Sequence, residues 1–295
     1  MTTLRITRTG PLATIQDAGR PGCLSLGVSA SGPMDRAAFA SAGHRLGRAG
    51  RAGIEFTTAG IGFHLEGDGL DAAFAGGDFR LRVGGRSLGW PWAGPLAEGD
   101  EVEILPGGAG NYGYARFSRE IDLPPVLGSV ATNLVAGLGG LEGRALRAGD
   151  LLSFGPFGDM AEPPPAAPSP DGAVRIIWGI HADLFPAALR AEFTRQAFHV
   201  SPRLDRMGVR LEDRAGVFAG AHLLSLVSEP VAAGDIQVLG DGTPIGLIRD
   251  HQPTGGYPRI ATVATADLDR FAQLRPGAAV QFQPVTADHA RRLLG

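Results

Sequence analysis

Apolar and polar residues alternate in short blocks along this chain, and the blocks are set apart by glycine and proline rather than by long polar tracts. Eight blocks read as strands, being brief and either alternating or rich in β-branched and aromatic residues: 3–7, 72–75, 101–105, 151–154, 174–178, 236–239, 245–248 and 279–282. Helical periodicity is confined to 35–46, 186–193, 265–274 and the last turns from Ala287. Thr265 is placed to cap the third of these, and Pro276 stands just beyond its end. The pattern predicts a mainly β protein with a few short helices.

The segment 159–172, DMAEPPPAAPSPDG, holds five prolines in fourteen residues, a composition that favours extended, solvated linker over core. It predicts two domains, an N-terminal β-barrel over 1–158 and a C-terminal β-barrel over 173–295. At 295 residues the chain exceeds the usual single-domain size of roughly 100 to 200. The halves also resemble each other at their ends: LRITRTGP at 4–11 against VRIIWGIH at 174–181, and LRAGDLLSFGP at 146–156 against LRPGAAVQFQP at 274–284. A Leu-Arg-x-Gly turn before the closing strand of each half suggests duplication of one barrel.

Composition narrows the chemistry. The 45 glycines and 22 prolines suit a protein of many turns. A net charge of −3 leaves no basic footprint for nucleic acid, and no apolar run approaches the roughly 18 to 20 residues of a membrane span. The start, MTTLRITRTG, lacks a basic-then-apolar leader, and the lone Cys23 cannot form an internal disulfide; both point to the cytoplasm. All 27 basic residues are arginine. That excludes a Schiff-base lysine, a phosphate-loop lysine and a lysine carrying covalent biotin, so biotin could only be a visiting ligand. The seven histidines are scattered, with no metal-ligand spacing, and no metal site is expected.

Three Gly-rich clusters carry candidate chemistry. In QDAGRPG at 16–22, followed by SGPMDR at 31–36, tight turns leave Gln16, Asp17, Arg20 and Asp35 free to face a cleft, or let Asp17 cap a turn with Arg20 paired to it. An arginine fork would suit a carboxylate or phosphate. In SPRLDRMGVRL at 201–211, Asp205, Arg206 and Arg210 make either an anion site or a solvated hairpin. In DHQPTGGYP at 250–258, preceded by GDIQ at 234–237, the candidates are Gln237, Asp250, Thr254, Gly255, Gly256 and Tyr257. Paired glycines expose consecutive N–H groups, as an oxyanion requires, or form a plain turn.

Taken together with DLPPVLGS at 122–129 and GLGGLEGRALRAGD at 137–150, these motifs resemble, in order and across nearly the whole chain, the allophanate hydrolase subunit 2 or urea amidolyase-related carboxyltransferase family. Gly43 and Ser118-Arg119 depart from its pattern, which shows Asn and Gly-Gly there. The resemblance implies cyclophilin-like barrels and action only with partners. A free-standing chain of this size is most similar to the C subunit of 5-oxoprolinase. That similarity implies a partner of the allophanate hydrolase subunit 1 type (the B subunit), a lactam-opening A subunit, and ATP with Mg used somewhere in the complex. Arg20, Arg206 and Arg210 are then the anion candidates, Gly255 and Gly256 the oxyanion donors, and Asp35 or Asp250 the catalytic carboxylates. A biotin-dependent carboxyltransferase acting on urea or a similar amide, and a non-catalytic regulator binding a kinase-inhibitor-type partner, are the alternatives.

Overall fold

The computed structural model describes residues 2–164, 172–219 and 226–294. They form two compact units, Met1–Cys23 with Ala30–Pro165, and Leu24–Ser29 with Ala166–Gly295. The first carries β1 (Thr3–Thr9), β2 (Thr14–Gln16), α1 (Arg36–Leu46), β3 (Arg48–Ala49), β4 (Gly53–Thr57), β5 (Ile61–Glu66), β6 (Leu70–Ala75), β7 (Phe79–Val83), β8 (Arg86–Leu88), β9 (Trp92–Leu96), β10 (Glu101–Pro106), β11 (Tyr112–Phe117), β12 (Arg119–Ile121), β13 (Leu151–Phe157) and β14 (Asp159–Met160).

Two sheets, ordered β12-β13-β1-β5-β10-β7-β8 and β2-β4-β11-β6-β9, share one apolar core. Alternation does the sorting: in β7, Phe79, Leu81 and Val83 are buried while Arg80 and Arg82 are exposed. Phe63 of the larger sheet meets Phe74 and Phe117 of the smaller edge-on, each at 6.2 Å. Strand β11 is buried throughout, because α1 covers its other face: Phe39 meets Tyr114 edge-on at 5.7 Å, and Ala42 and Leu46 pack with Ala73 and Ala75. Small residues are needed there. A Cβ on Gly43 would lie 3.0 Å from the Arg116 guanidinium, which stacks on the Phe39 ring at 3.9 Å and donates to the carbonyls of Phe39 (3.1 Å) and Gly50 (2.6 Å). Burial pushes the Arg116 pKa down to about 10.

The second unit carries β15 (Val174–Trp178), α2 (Ala187–Arg195), β16 (Phe198–Leu204), β17 (Gly208–Glu212), β18 (Glu229–Pro230), β19 (Asp235–Val238), β20 (Pro244–Leu247), β21 (Thr254–Gly255), β22 (Arg259–Val263), α3 (Thr265–Ala272), β23 (Ala279–Val280), β24 (Phe282–Pro284) and α4 (Ala287–Arg292). Its main sheet runs β23-β16-β17-β20-β19-β22-β15-β24. The two edge strands are separated in sequence only by Gln281, so the sheet returns on itself as a nearly closed barrel. The single strand expected over 279–282 is thus two: Ala279–Val280 pairs with β16, and Phe282–Pro284 pairs with β15. Gln281 marks the crossing, its carbonyl accepting from Val174 N–H at 2.7 Å and its side chain donating to Thr194 and Arg195 at the end of α2.

Three expectations are revised. Thr265 is the first residue of α3 and Ala264 stands at the cap; the carboxylate that organises this turn is Asp267, which accepts from the Arg175 backbone N–H at 2.7 Å and its Nε at 2.9 Å. The Pro-rich segment begins later than 159, because Asp159 and Met160 pair with Ala49 and Arg48, and Ala161 N–H donates to Gly47 at 2.9 Å; residues 165–171 lie outside the described residues. The repeated Leu-Arg-x-Gly turn is real, with Gly149 at φ 95° and Gly277 at φ 85°, but its surroundings differ. Gly149 N–H docks on Ile6 of β1 and Gly277 N–H on Val200 of β16, and β13 runs antiparallel to β1 whereas β24 runs parallel to β15. Among the described residues no helix is long and apolar enough to cross a membrane.

Candidate functional site

The second unit's barrel presents a pocket of about 460 Å³ on the sheet face opposite its core, within the usual range of roughly 300 to 1,000 Å³ for small-molecule sites. Strand alternation builds it. In β17, Val209 and Leu211 are core while Gly208 and Arg210 turn outward; in β19, Ile236 and Val238 are core while Gln237 turns outward. In β20, Gly246 lies against Phe271, leaving Ile245 and Leu247 for the pocket. Register aligns Arg210, Ile245 and Gln237 across three neighbouring strands, so an apolar floor is flanked by a guanidinium and an amide whose Cα atoms are two strand spacings, about 10 Å, apart.

The amide side is wired internally. Gln252 Nε2 donates to Gln237 Oε1 at 3.2 Å, and Gln237 Nε2 faces the Tyr257 carbonyl at 3.5 Å. A Cβ on Gly255 would come within 2.5 Å of Gln237 Nε2, so a larger residue there would require the Gln237 side chain to move. The Gly255 strand, β21, pairs with β18. Arg259 anchors β18, donating to Glu229 at 2.7 Å and to the Pro230 carbonyl at 2.9 Å. On the cationic side, the Arg203 and Arg210 side chains make no hydrogen bond or ion pair among the described residues. Arg210 contributes, after the Thr243 hydrogen bonds, to holding the Asp241 carboxyl below the usual range.

Of the sequence candidates, Asp205, Arg210, Gln237 and Tyr257 line this pocket. Asp205 also shapes the β16–β17 hairpin, accepting from Met207 and Gly208 N–H at 2.8 and 3.2 Å. Arg206 does not serve as an anion fork: it is buried and makes a two-pronged pair with Asp250, Nε to Oδ2 at 2.8 Å and Nη2 to Oδ1 at 3.2 Å. The same pair engages Asp250, which is 1% exposed. Thr254 is exposed on β21. Gly255 lies in β21, and neither it nor Gly256 adopts the positive φ of an anion nest; the Gly256 carbonyl accepts from Leu226 N–H at 2.7 Å.

The first unit's candidates hold turns. Gln16 is buried, donating to Thr14 Oγ1 and the Thr132 carbonyl and accepting from Gly32 N–H. Asp17 accepts from Gly19 N–H (2.8 Å), Ser129 Oγ (2.5 Å) and Val130 N–H (2.8 Å), which is its capping alternative. Arg20, 1% exposed, donates to the carbonyls of Ala131 and Val126 and to Ser31 Oγ. Asp35 is the N-cap of α1, accepting from Ala38 N–H at 2.9 Å, while its own N–H donates to the Tyr114 hydroxyl at 2.7 Å. Ser118 accepts from Asp71 N–H, and Arg119 donates to Thr2 Oγ1. Sequence reading missed Arg203 and Gln252. Both lie inside the clusters singled out, and the alternation that turns Arg210 outward was the available signal.

Two mainly β units, one of them built on a nearly closed barrel sheet, define the class: a β-barrel protein. The chain belongs to the carboxyltransferase domain, subdomain A and B, family, whose model matches residues 26–284. It is 31% identical to the 5-oxoprolinase C subunit of Escherichia coli (strain K12), over 97% of this chain and 93% of that one. It is 31% identical to the Haemophilus influenzae protein of the same name, over 95% and 91%. Urea amidolyase of Lachancea kluyveri is 30% identical over 98% of this chain, which spans 17% of that protein. Among solved structures, urea carboxylase of Kluyveromyces lactis superposes on 98% of this chain with a TM-score of 0.86 at 26% identity, the match covering 28% of that chain.

Proposed function

We propose that this chain is the C subunit of an ATP-dependent 5-oxoprolinase, which opens 5-oxo-L-proline to L-glutamate together with partner subunits. The observation that carries this reading is the similarity to the Escherichia coli 5-oxoprolinase C subunit, which runs nearly end to end in both proteins. The reaction adds water across the lactam C–N bond and is driven by hydrolysis of ATP to ADP and phosphate. It calls for a cation to hold the substrate carboxylate and for donors and acceptors along the amide. The pocket supplies Arg210, Gln237 and Gln252 in that arrangement.

ATP and Mg do not fit this pocket. Two guanidiniums, from Arg203 and Arg210, face it beside the Asp205 carboxylate, a balance suited to one carboxylate and not to a triphosphate. We assign the nucleotide to a partner, either the allophanate hydrolase subunit 1-type protein or the lactam-opening protein. The test is ATP-dependent glutamate release from 5-oxoproline by this chain and its partner subunits, separately and together. Turnover is expected only from the assembly. Turnover by the isolated chain, or equal turnover by the partners without it, would reject the proposal.

The TM-score of 0.86 to a urea carboxylase favours one second reading, a carboxyltransferase subunit receiving carboxybiotin from another chain. Carboxylation of urea by this chain with a biotin carboxylase and a biotinylated carrier would establish it.

A further inference from the structure

The polar side of the second unit's pocket has a defined direction of hydrogen bonding. Gln237 is 2% exposed, and its Oε1 accepts from Gln252 Nε2 at 3.2 Å. Its own Nε2 makes one long contact, 3.5 Å, to the Tyr257 carbonyl, and an amide nitrogen has two hydrogens to donate. Gln252 Oε1 has no hydrogen-bond partner among the described residues. The two linked side chains therefore keep one donor, a hydrogen on Gln237 Nε2, and one acceptor, Gln252 Oε1, on the same pocket wall.

An amide whose N–H and C=O lie on the same edge satisfies both at once. Open-chain secondary amides are trans, with N–H and C=O on opposite sides; a small ring forces the cis arrangement. Across the floor formed by Ile245 and Leu247 stands Arg210, in register with Gln237 through Ile245. A guanidinium suits a carboxylate through paired, charge-assisted hydrogen bonds. The negative group on the same wall, Asp205, is turned to the N–H groups of Met207 and Gly208.

We propose that this pocket binds a small cyclic amide bearing a carboxylate, with the Gln237–Gln252 pair reading the cis-amide edge, the apolar floor taking the ring methylenes and Arg210 holding the carboxylate. The identification of that molecule as 5-oxoproline rests on the function proposed above. The ureido ring of biotin shares the N–H and C=O edge, and the experiment separates the two.

Binding to the full chain is measured by calorimetry with L-5-oxoproline, 2-pyrrolidinone, which lacks the carboxylate, L-proline, which lacks the carbonyl, and biotin. L-5-oxoproline is expected to bind most tightly. Arg210→Gln should weaken it about tenfold or more and leave 2-pyrrolidinone unaffected, whereas Gln252→Leu should weaken both lactams by similar factors. Both residues are away from the core, and unchanged thermal unfolding of the variants checks that the fold is intact. No saturable lactam binding, L-proline or biotin binding as well as L-5-oxoproline, or binding indifferent to both substitutions would overturn the assignment. Turnover by the assembled complex without lactam binding here rejects this site alone; lactam binding without turnover rejects the proposed reaction alone.

Discussion

Arg206 and Arg210 are four positions apart in one charged cluster, yet they have opposite fates. Arg206 follows the end of β16 and is turned inward onto Asp250, both all but inaccessible. Arg210 is on the outward face of β17 and stays uncommitted at the pocket. A buried pair of this kind is weak evidence of added stability in itself, but breaking it leaves an uncompensated charge. Arg206→Lys keeps the charge and loses the two-pronged geometry, so we expect a loss of about 2 kcal/mol in the second unit's unfolding free energy, the scale of one charge-assisted hydrogen bond. Arg210→Lys, with no internal bond to lose, should stay within about 0.5 kcal/mol of the parent. Denaturant titration of the two variants decides it, and equal stabilities would show that Arg206 does not hold the hairpin.

At the scale of elements, the joint between β15 and α3 depends on one carboxylate. Asp267 is fully buried in α3. Burial pushes its pKa up, but the bonds from the Arg175 side chain and backbone N–H outweigh that and hold it below the usual carboxylate range. A folded pKa below the unfolded one means the stabilisation is fully present above the unfolded value of about 3.9 and is lost as pH falls through the lower folded value. Asp267→Asn should therefore destabilise the second unit by about 3 kcal/mol at neutral pH, with the gap to the parent protein closing below about pH 4. Unfolding curves at pH 7 and at acid pH read this out; a gap that persists undiminished into acid would implicate something other than this ion pair. The same scale explains Gly43, a departure from the family pattern. Alanine would favour the helix by up to about 1 kcal/mol, but Arg116 is clamped at three points beside it and cannot yield.

At the scale of the whole molecule, the division into two units follows from two separate sets of hydrogen-bonded sheets. Between them in sequence lie the five prolines of 163–170, and a proline has no N–H to donate to a ladder. A protease of broad specificity should therefore cut first within 161–172 and release two fragments, the N-terminal one carrying Leu24–Ser29 of the second unit with it. First cuts inside β1–β13 or β15–β24 would contradict the division.

The sequence by itself determined the mainly β character, since a period of two and the spacing of turn residues are local properties; 174–178 is a strand to the residue, and 35–46 and the turns from Ala287 are helices within one position at the start. It also determined the family, through ordered motifs, and what chemistry the absence of lysine forbids. Tertiary structure alone decided which polar side chains in those motifs are engaged. Asp17 is held by Ser129, 112 positions away, Arg206 by Asp250, 44 positions away, and strand 279–282 is split because its two ends pair with opposite edges of one sheet. Gly-rich clusters look alike in sequence whether their side chains brace a turn or face a ligand. Burial and partner choice separate the two, and both are set by residues distant along the chain.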